Sequence, residues 1–298
     1  MSVTIIINPV SGGARPDTAR KRAELAAAVV DAHGDRAEVF VTERAGHARD
    51  LARAAVVRDV RLVIAWGGDG TINEVASALT FDEVPLGIVP AGSGNGLALE
   101  LGIDRRPEHA IADALRAEPR PMDVGEIDGR LFVNIAGVGL DAYVAAQFNQ
   151  PGNTRRGLLS YARITGRALL AYHPARYRLA FGTARSEVRA VLVTIANSPQ
   201  YGNNARIAPL ARLDDGELDL VVVEERSRLR TLVSLPHLFR GTAERVPGCT
   251  ITRVTHGTIE ADLPMTFHVD GETVHGGTRL RVRIHPAALR VAVAPTGR

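Results

Sequence analysis

The chain has 298 residues, 45% hydrophobic, 23% charged and 4% aromatic, with a formal net charge of +3. That length and apolar content fit two ordinary domains or one large one, and exclude a disordered chain. Of the 36 basic residues only Lys21 is a lysine, which leaves almost no room for a Walker-type phosphate lysine, a protein-kinase strand lysine or a Schiff-base lysine.

The first 120 residues alternate short β-branched runs with longer helical patterns. Strands are predicted at 3–8, 37–42, 61–66 and 86–90, and helices at 17–32, 47–57, 71–79, 95–101 and 107–117. Such alternation predicts an α/β domain with a parallel sheet and helices on both faces, its site lying beyond the carboxyl ends of the strands. The pattern changes at about residue 121. Runs at 124–127 and 131–135 flank Asp128-Gly129, a hairpin turn pair. Further strands are predicted at 177–181, 188–196, 218–223, 251–260, 265–269 and 279–284, with helices at 140–148, 158–172 and 229–238. The second part therefore reads as a mostly antiparallel β-sandwich with helical insertions. The expected domains are 1–121 and 122–298, with the extreme C-terminus packing back on the first domain. The single cysteine, Cys249, excludes an internal disulfide and any cysteine-rich metal site. With no secretory h-region and no long apolar run, the expected location is cytoplasmic.

Three glycine-bearing loops follow strands of the first domain: Asn8-Pro9-Val10-Ser11-Gly12-Gly13, Gly67-Gly68-Asp69-Gly70-Thr71-Ile72-Asn73-Glu74 and Pro90-Ala91-Gly92-Ser93-Gly94-Asn95-Gly96. Glycine lets backbone N–H groups approach an anion closely, so three such loops at one sheet edge could surround a polyphosphate without any lysine. A turn needs no carboxylate between glycines, and Asp69 therefore points to a magnesium–nucleotide site. Thr71 through Glu74 also reads as a capping box at a helix start.

These motifs, in this order and spacing, resemble the diacylglycerol kinase catalytic-domain family, which includes bacterial soluble lipid kinases and sphingosine kinases. The resemblance continues through Met122-Asp123-Val124-Gly125, Asn134-Ile135-Ala136-Gly137-Val138-Gly139-Leu140-Asp141-Ala142, Leu213-Asp214-Asp215-Gly216-Glu217 and His268-Val269-Asp270-Gly271-Glu272. It implies an ATP-binding α/β domain, a lipid-binding β-sandwich and transfer of the γ-phosphate to a lipid hydroxyl, with diacylglycerol or a related lipid as acceptor. By match, Asn8, Pro9, Val10, Ser11, Gly12, Thr42, Gly67, Gly68, Asp69, Gly70, Thr71, Ile72, Asn73 and Ser93 would contact the nucleotide. Asp69 and Asp123 would hold a catalytic Mg2+. A second metal would use the Asp215 carboxylate with the Arg212 and Glu217 carbonyls, although Asp215-Gly216 also reads as a turn. Glu272 matches the family's proton acceptor, and it would also sit on the flank of an Asp270-Gly271 hairpin turn. Asp141 would orient substrate hydroxyls or cap the following helix.

The chain departs from many bacterial members at Gly96, where they carry an acidic residue. Rival functions are an NAD kinase, which shares the Gly-Gly-Asp-Gly-Thr loop, and a silent nucleotide- or lipid-binding module. Arg155, Arg156, Arg163 and Arg167 form a basic stretch that reads as a solvated helix face or as a contact to the inner face of a membrane. No aromatic platform interleaves the arginines, so nucleic acid is not an expected partner. A homodimer is left open.

Overall fold

The structure is a computed structural model that describes residues 2–13, 17–148, 168, 172–202, 205–226, 234, 237 and 240–294. The predicted helices at 158–172 and 229–238 lie almost wholly outside these residues, as do Arg155, Arg156, Arg163 and Arg167. The chain forms two compact units, Met1–Met122 with Ala287–Arg298, and Asp123–Pro286.

The first unit is built on β1 (Ser2–Ile7), β2 (Arg36–Val41), β3 (Leu62–Gly67) and β4 (Leu86–Pro90), paired in parallel in the order β4-β3-β1-β2. Near-continuous apolar runs suit a central parallel strand covered on both faces, and β3 is buried at every residue. Alternate side chains Val3, Ile5, Ile7, Leu62, Ile64 and Trp66 share one core with α1 (Asp17–Ala32) and α5 (Pro107–Arg116). Helices α2 (His47–Val57) and α3 (Asp69–Leu79) pack together and on β1 and β3. A short α4 (Gly96–Glu100) follows β4. Pro107 stands at the start of α5, where its missing N–H costs nothing. The capping-box expectation is corrected, because α3 begins two residues earlier than predicted and has Gly68 as its N-cap.

The second unit is an antiparallel network. It comprises β5 (Arg120–Ile127), β6 (Arg130–Phe132), β7 (Ile135–Gly139), β8 (Ala175–Phe181), β9 (Ala184–Ala196), β10 (Leu218–Glu224), β11 (Cys249–Val254), β12 (His256–Ala261), β13 (Thr266–Val269), β14 (Glu272–His275) and β15 (Arg279–Val291), with α6 (Leu140–Phe148) after β7. Strands β5 and β15 each begin in one unit and end in the other. The order β14-β13-β7-β9-β8-β12-β15 is joined by β10 and β11 beside β9. Inward residues of β7, β9 and β10 share one core with those of β8, β12 and β15, so the strands wrap a common interior as a sandwich does. Asp128 and Gly129 have φ of 48° and 77° and form the expected two-residue turn.

Two predicted strands are each broken in two. The run at 131–135 splits because the Val133, Asn134 and Ile135 N–H groups all donate to the Asp270 carboxylate, at 2.9 Å each. The run at 251–260 breaks at Thr255, so that β11 pairs with β10 while β12 pairs with β8 and β15.

Candidate active site

In the first unit the three glycine loops converge at the carboxyl edge of the sheet. Asn8 Nδ2 donates to Thr71 Oγ1 at 2.9 Å, and Val10 N donates to Asn8 Oδ1 at 3.1 Å. This ties the first loop to the second. Gly12 adopts φ +71°, and a Cβ there would lie 2.7 Å from the Ala91 carbonyl oxygen of the third loop. Gly92 lies against Gly68 so closely that a Cβ would come within 2.7 Å of its Cα. Both are positions where only glycine fits without movement. The Asp69 carboxylate accepts from Asn95 N at 2.9 Å and from Gly96 N at 2.7 Å, joining the second loop to the third. Asn95 Oδ1 in turn accepts from Gly92 N at 2.7 Å.

Among the predicted nucleotide contacts, Asn8, Ser11, Gly12, Gly67, Gly68, Asp69, Gly70, Thr71 and Ser93 lie in these loops. Thr42 donates its N–H to Ile7 O at 2.9 Å, placing it beside the first loop. Pro9, the exposed Val10 and the exposed Ser93 sit at the open side. Ile72 and Asn73 are buried side chains within α3, so Ile72 serves the core. Sequence reasoning missed Arg22. Its Nη1 donates to Asn8 O and Ser11 Oγ at 3.0 Å each, and its guanidinium stacks over Trp66 at 5.6 Å. Burial lowers the Arg22 pKa. The only sequence signal was a basic residue on the face of α1.

In the second unit, Asp123 is buried and anchors the acidic loop that precedes β10. Its N–H donates to Leu213 O at 2.7 Å, and its Oδ2 accepts from Gly216 N at 2.6 Å. Asp215 Oδ1 accepts from Glu217 N at 3.2 Å. The Arg212 guanidinium turns to Asp214 and the Glu217 carboxylate to Arg253, both at 3.2 Å. Of these two residues, the backbone carbonyls are therefore what a cation would find. Burial, opposed by Arg253, together with the Asp215 and Glu217 charges pushes the Asp219 carboxyl up to about 6. A region of oxygen donors with surplus negative charge fits a hard divalent ion. Among the described residues no group of three or more His, Cys, Asp and Glu could hold a metal, so carbonyl oxygens would have to complete the shell.

Asp270 and Gly271, at φ 47° and 87°, turn β13 into β14, and Glu272 is the exposed first residue of β14. Asp141 is buried. Its Oδ2 accepts from Thr194 Oγ1 at 2.8 Å and Tyr201 OH at 3.2 Å, and its Oδ1 from Ala142 N at 2.8 Å. His268 Nε2 lies 3.2 Å from Asp141 Oδ2, without the alignment of a hydrogen bond. Asp141 thus organises an internal polar cluster, which its place at a helix start did not reveal. The same unit holds a 690 Å³ pocket lined by Tyr143, Tyr172, Tyr177, Leu263, Met265 and Thr273, among others; Glu272 does not line it. No helix among the described residues is long and apolar enough to cross a membrane.

Residues 2–127 match the diacylglycerol kinase catalytic domain, and residues 134–293 match the YegS C-terminal NAD kinase beta sandwich-like domain. A relative from Chromohalobacter salexigens named "Probable lipid kinase YegS-like" is 31% identical over 89% of this chain and 86% of its own length. A diacylglycerol kinase of Bacillus subtilis is 30% identical over 92% of this chain and 89% of its own. The solved structure of a diacylglycerol kinase from Bacillus anthracis has the same fold, with a TM-score of 0.74 at 21% identity, covering 99% of this chain and 97% of that one. With both halves matched and relatives aligned over most of their length, the chain belongs to the diacylglycerol kinase catalytic-domain family of YegS-like lipid kinases.

Proposed function

We propose that the protein transfers the γ-phosphoryl group of ATP to the hydroxyl of diacylglycerol or a related lipid. The observation that carries this reading is the convergence of three glycine loops, cross-tied by Asn8–Thr71 and by Asp69 with Asn95 and Gly96, at one sheet edge with no lysine. Positioning and electrostatics dominate phosphoryl transfer, so a rigid backbone cradle is the part the protein must supply. Asn8, Ser11, Gly12, Gly68, Thr71 and Ser93 would hold the phosphates, and Arg22 fixes the first loop from behind.

By the family resemblance, Asp69 and Asp123 would hold the catalytic Mg2+, and Asp215 with the carbonyls of Arg212 and Glu217 would hold a second metal. Bound Mg2+ supplies charge neutralisation on the phosphate oxygens. Glu272 would accept the proton of the lipid hydroxyl as its oxygen bonds to phosphorus and the bridging β–γ P–O bond breaks. The 690 Å³ pocket is within the size range of small-molecule sites and suits an acyl chain. Asp141 is buried and accepts hydrogen bonds from Thr194 and Tyr201 rather than standing in solvent.

The test is transfer of labelled γ-phosphate from ATP to a lipid panel, with products identified by mass. The expected outcome is one phosphorylated lipid class, with Glu272→Gln lowering kcat by about 10²–10⁴-fold and leaving ATP binding unchanged. Purified protein that labels no lipid would overturn the reading.

A further inference from the structure

Away from every residue assigned to catalysis, the second unit carries a 980 Å³ groove over β8, β12 and β15. Leu179, Ile259, Leu280 and Val282 turn into the core, so their neighbours in each strand face outward. The register aligns Arg178 with Glu260 and Arg279 in one row, and Ala180 with Thr258 and Arg281 in the next. Arg279, Arg281 and Arg283 therefore form a ladder with steps of about 7 Å along β15.

Charge pairing along this ladder is incomplete. Glu260 lies 3.3 Å from Arg279 and 3.8 Å from Arg178, and Glu126 lies 2.8 Å from Arg283. On the rim, Arg185 donates to the carbonyls of Gly182 and Ala184. Arg281 has no carboxylate within 4.0 Å among the described residues, and its row runs through Thr258 and Ala180 to another arginine, Arg185. A solvated sheet face usually pairs opposite charges across strands. Here the middle rung lacks its acid and stands over a floor of small residues, Gly257, Thr258 and Ala180, in a groove lined by five arginines and three glutamates.

We propose that this groove binds a phosphate-bearing ligand, anchored by Arg281 with Arg279 and Arg283 on either side. A guanidinium presents a planar fork of donors that matches phosphate oxygens, and the flanking arginines keep donors beyond those facing their glutamates. The phosphate can come from the headgroup of an anionic phospholipid or from a soluble phosphate ester. The assignment does not depend on the kinase reading, because it concerns binding and not turnover.

The full chain is tested in two arms, flotation with phosphatidylglycerol vesicles against phosphatidylcholine vesicles, and calorimetric titration with pyrophosphate. Binding is expected in at least one arm, falling with added salt. Arg281→Gln should weaken it about tenfold, in line with loss of a charge-assisted hydrogen bond. Arg189→Gln removes the same charge from β9 at a site paired with Glu225 outside the groove, and should change binding less than about twofold. Arg281→Lys, which keeps the charge and loses the fork, should give an intermediate loss. Binding to vesicles alone identifies a lipid headgroup, and binding to pyrophosphate alone a soluble ester. Absence of binding in both arms, or equal losses in Arg281→Gln and Arg189→Gln, would overturn the proposal.

Discussion

At the scale of single residues, carboxylates that accept backbone N–H groups fix loops and strand ends in place. Asp69 does so for Asn95 and Gly96, Asp270 for Val133, Asn134 and Ile135, and Asp123 for Gly216. The tie to Asp69 uses the Gly96 N–H, a backbone donor that any residue except proline would offer. Glu126 is the clearest test of such a group by pH. Burial raises its pKa, but hydrogen bonds from Arg283 and His285 outweigh burial and leave it below the usual value. As pH falls through the unfolded value of about 4.3, the unfolded chain takes up the proton first, so this contribution is present above that value and lost below it. Glu126→Gln should therefore cost about 1 kcal/mol at pH 7, with the gap closing near pH 3, measured by urea unfolding at both pH values. A gap independent of pH would contradict this.

At the scale of elements, α2 and α3 are coupled by one side chain. The Glu74 carboxylate on α3 accepts from Gly46 N at 2.8 Å, Ala48 N at 3.1 Å and Arg49 N at 3.4 Å, at the start of α2. Gly46 itself offers no side-chain cap, so Glu74 supplies it from the neighbouring helix. Glu74→Ala should cost about 1–2 kcal/mol, seen as a lower denaturant midpoint at unchanged slope. From sequence, Thr71 and Glu74 read as a cap for their own helix. Their spacing is right for that, but Thr71 faces Asn8 and Glu74 faces α2, because non-local donors lie closer than local ones.

At the scale of the whole molecule, two units with separate cores divide the proposed tasks, the glycine cradle in the first and the acidic loop, Glu272 and the apolar pocket in the second. The acidic loop supports a metal prediction. Burial chiefly, with a smaller contribution from the Asp215 and Glu217 charges that Arg253 opposes, raises the Asp219 carboxyl, and a bound cation would relieve the charge part. A ligand at a hundred times its dissociation constant stabilises the native state by about 2.7 kcal/mol, worth about 5 °C in the thermal midpoint for a domain of this size. Mg2+ should produce such a shift, and Asp215→Asn should remove it. An equal shift in the variant would place the ion elsewhere.

The amino-acid sequence alone determined the strand–helix alternation of the first unit, the Asp128-Gly129 and Asp270-Gly271 turns, the three glycine loops and the family. Each depends on local chemistry, either side-chain periodicity or a backbone conformation that glycine and aspartate tolerate. Tertiary structure decided the rest. It broke the runs at 131–135 and 251–260, buried Asp141 among Thr194, Tyr201 and His268, and brought Arg22 behind the first loop. At 251–260 the two halves pair with different strands, and in the other cases a polar group chose a partner distant in the chain. Such choices follow from which groups packing brings within hydrogen-bond reach, and the cost of leaving a buried polar group unpaired enforces them.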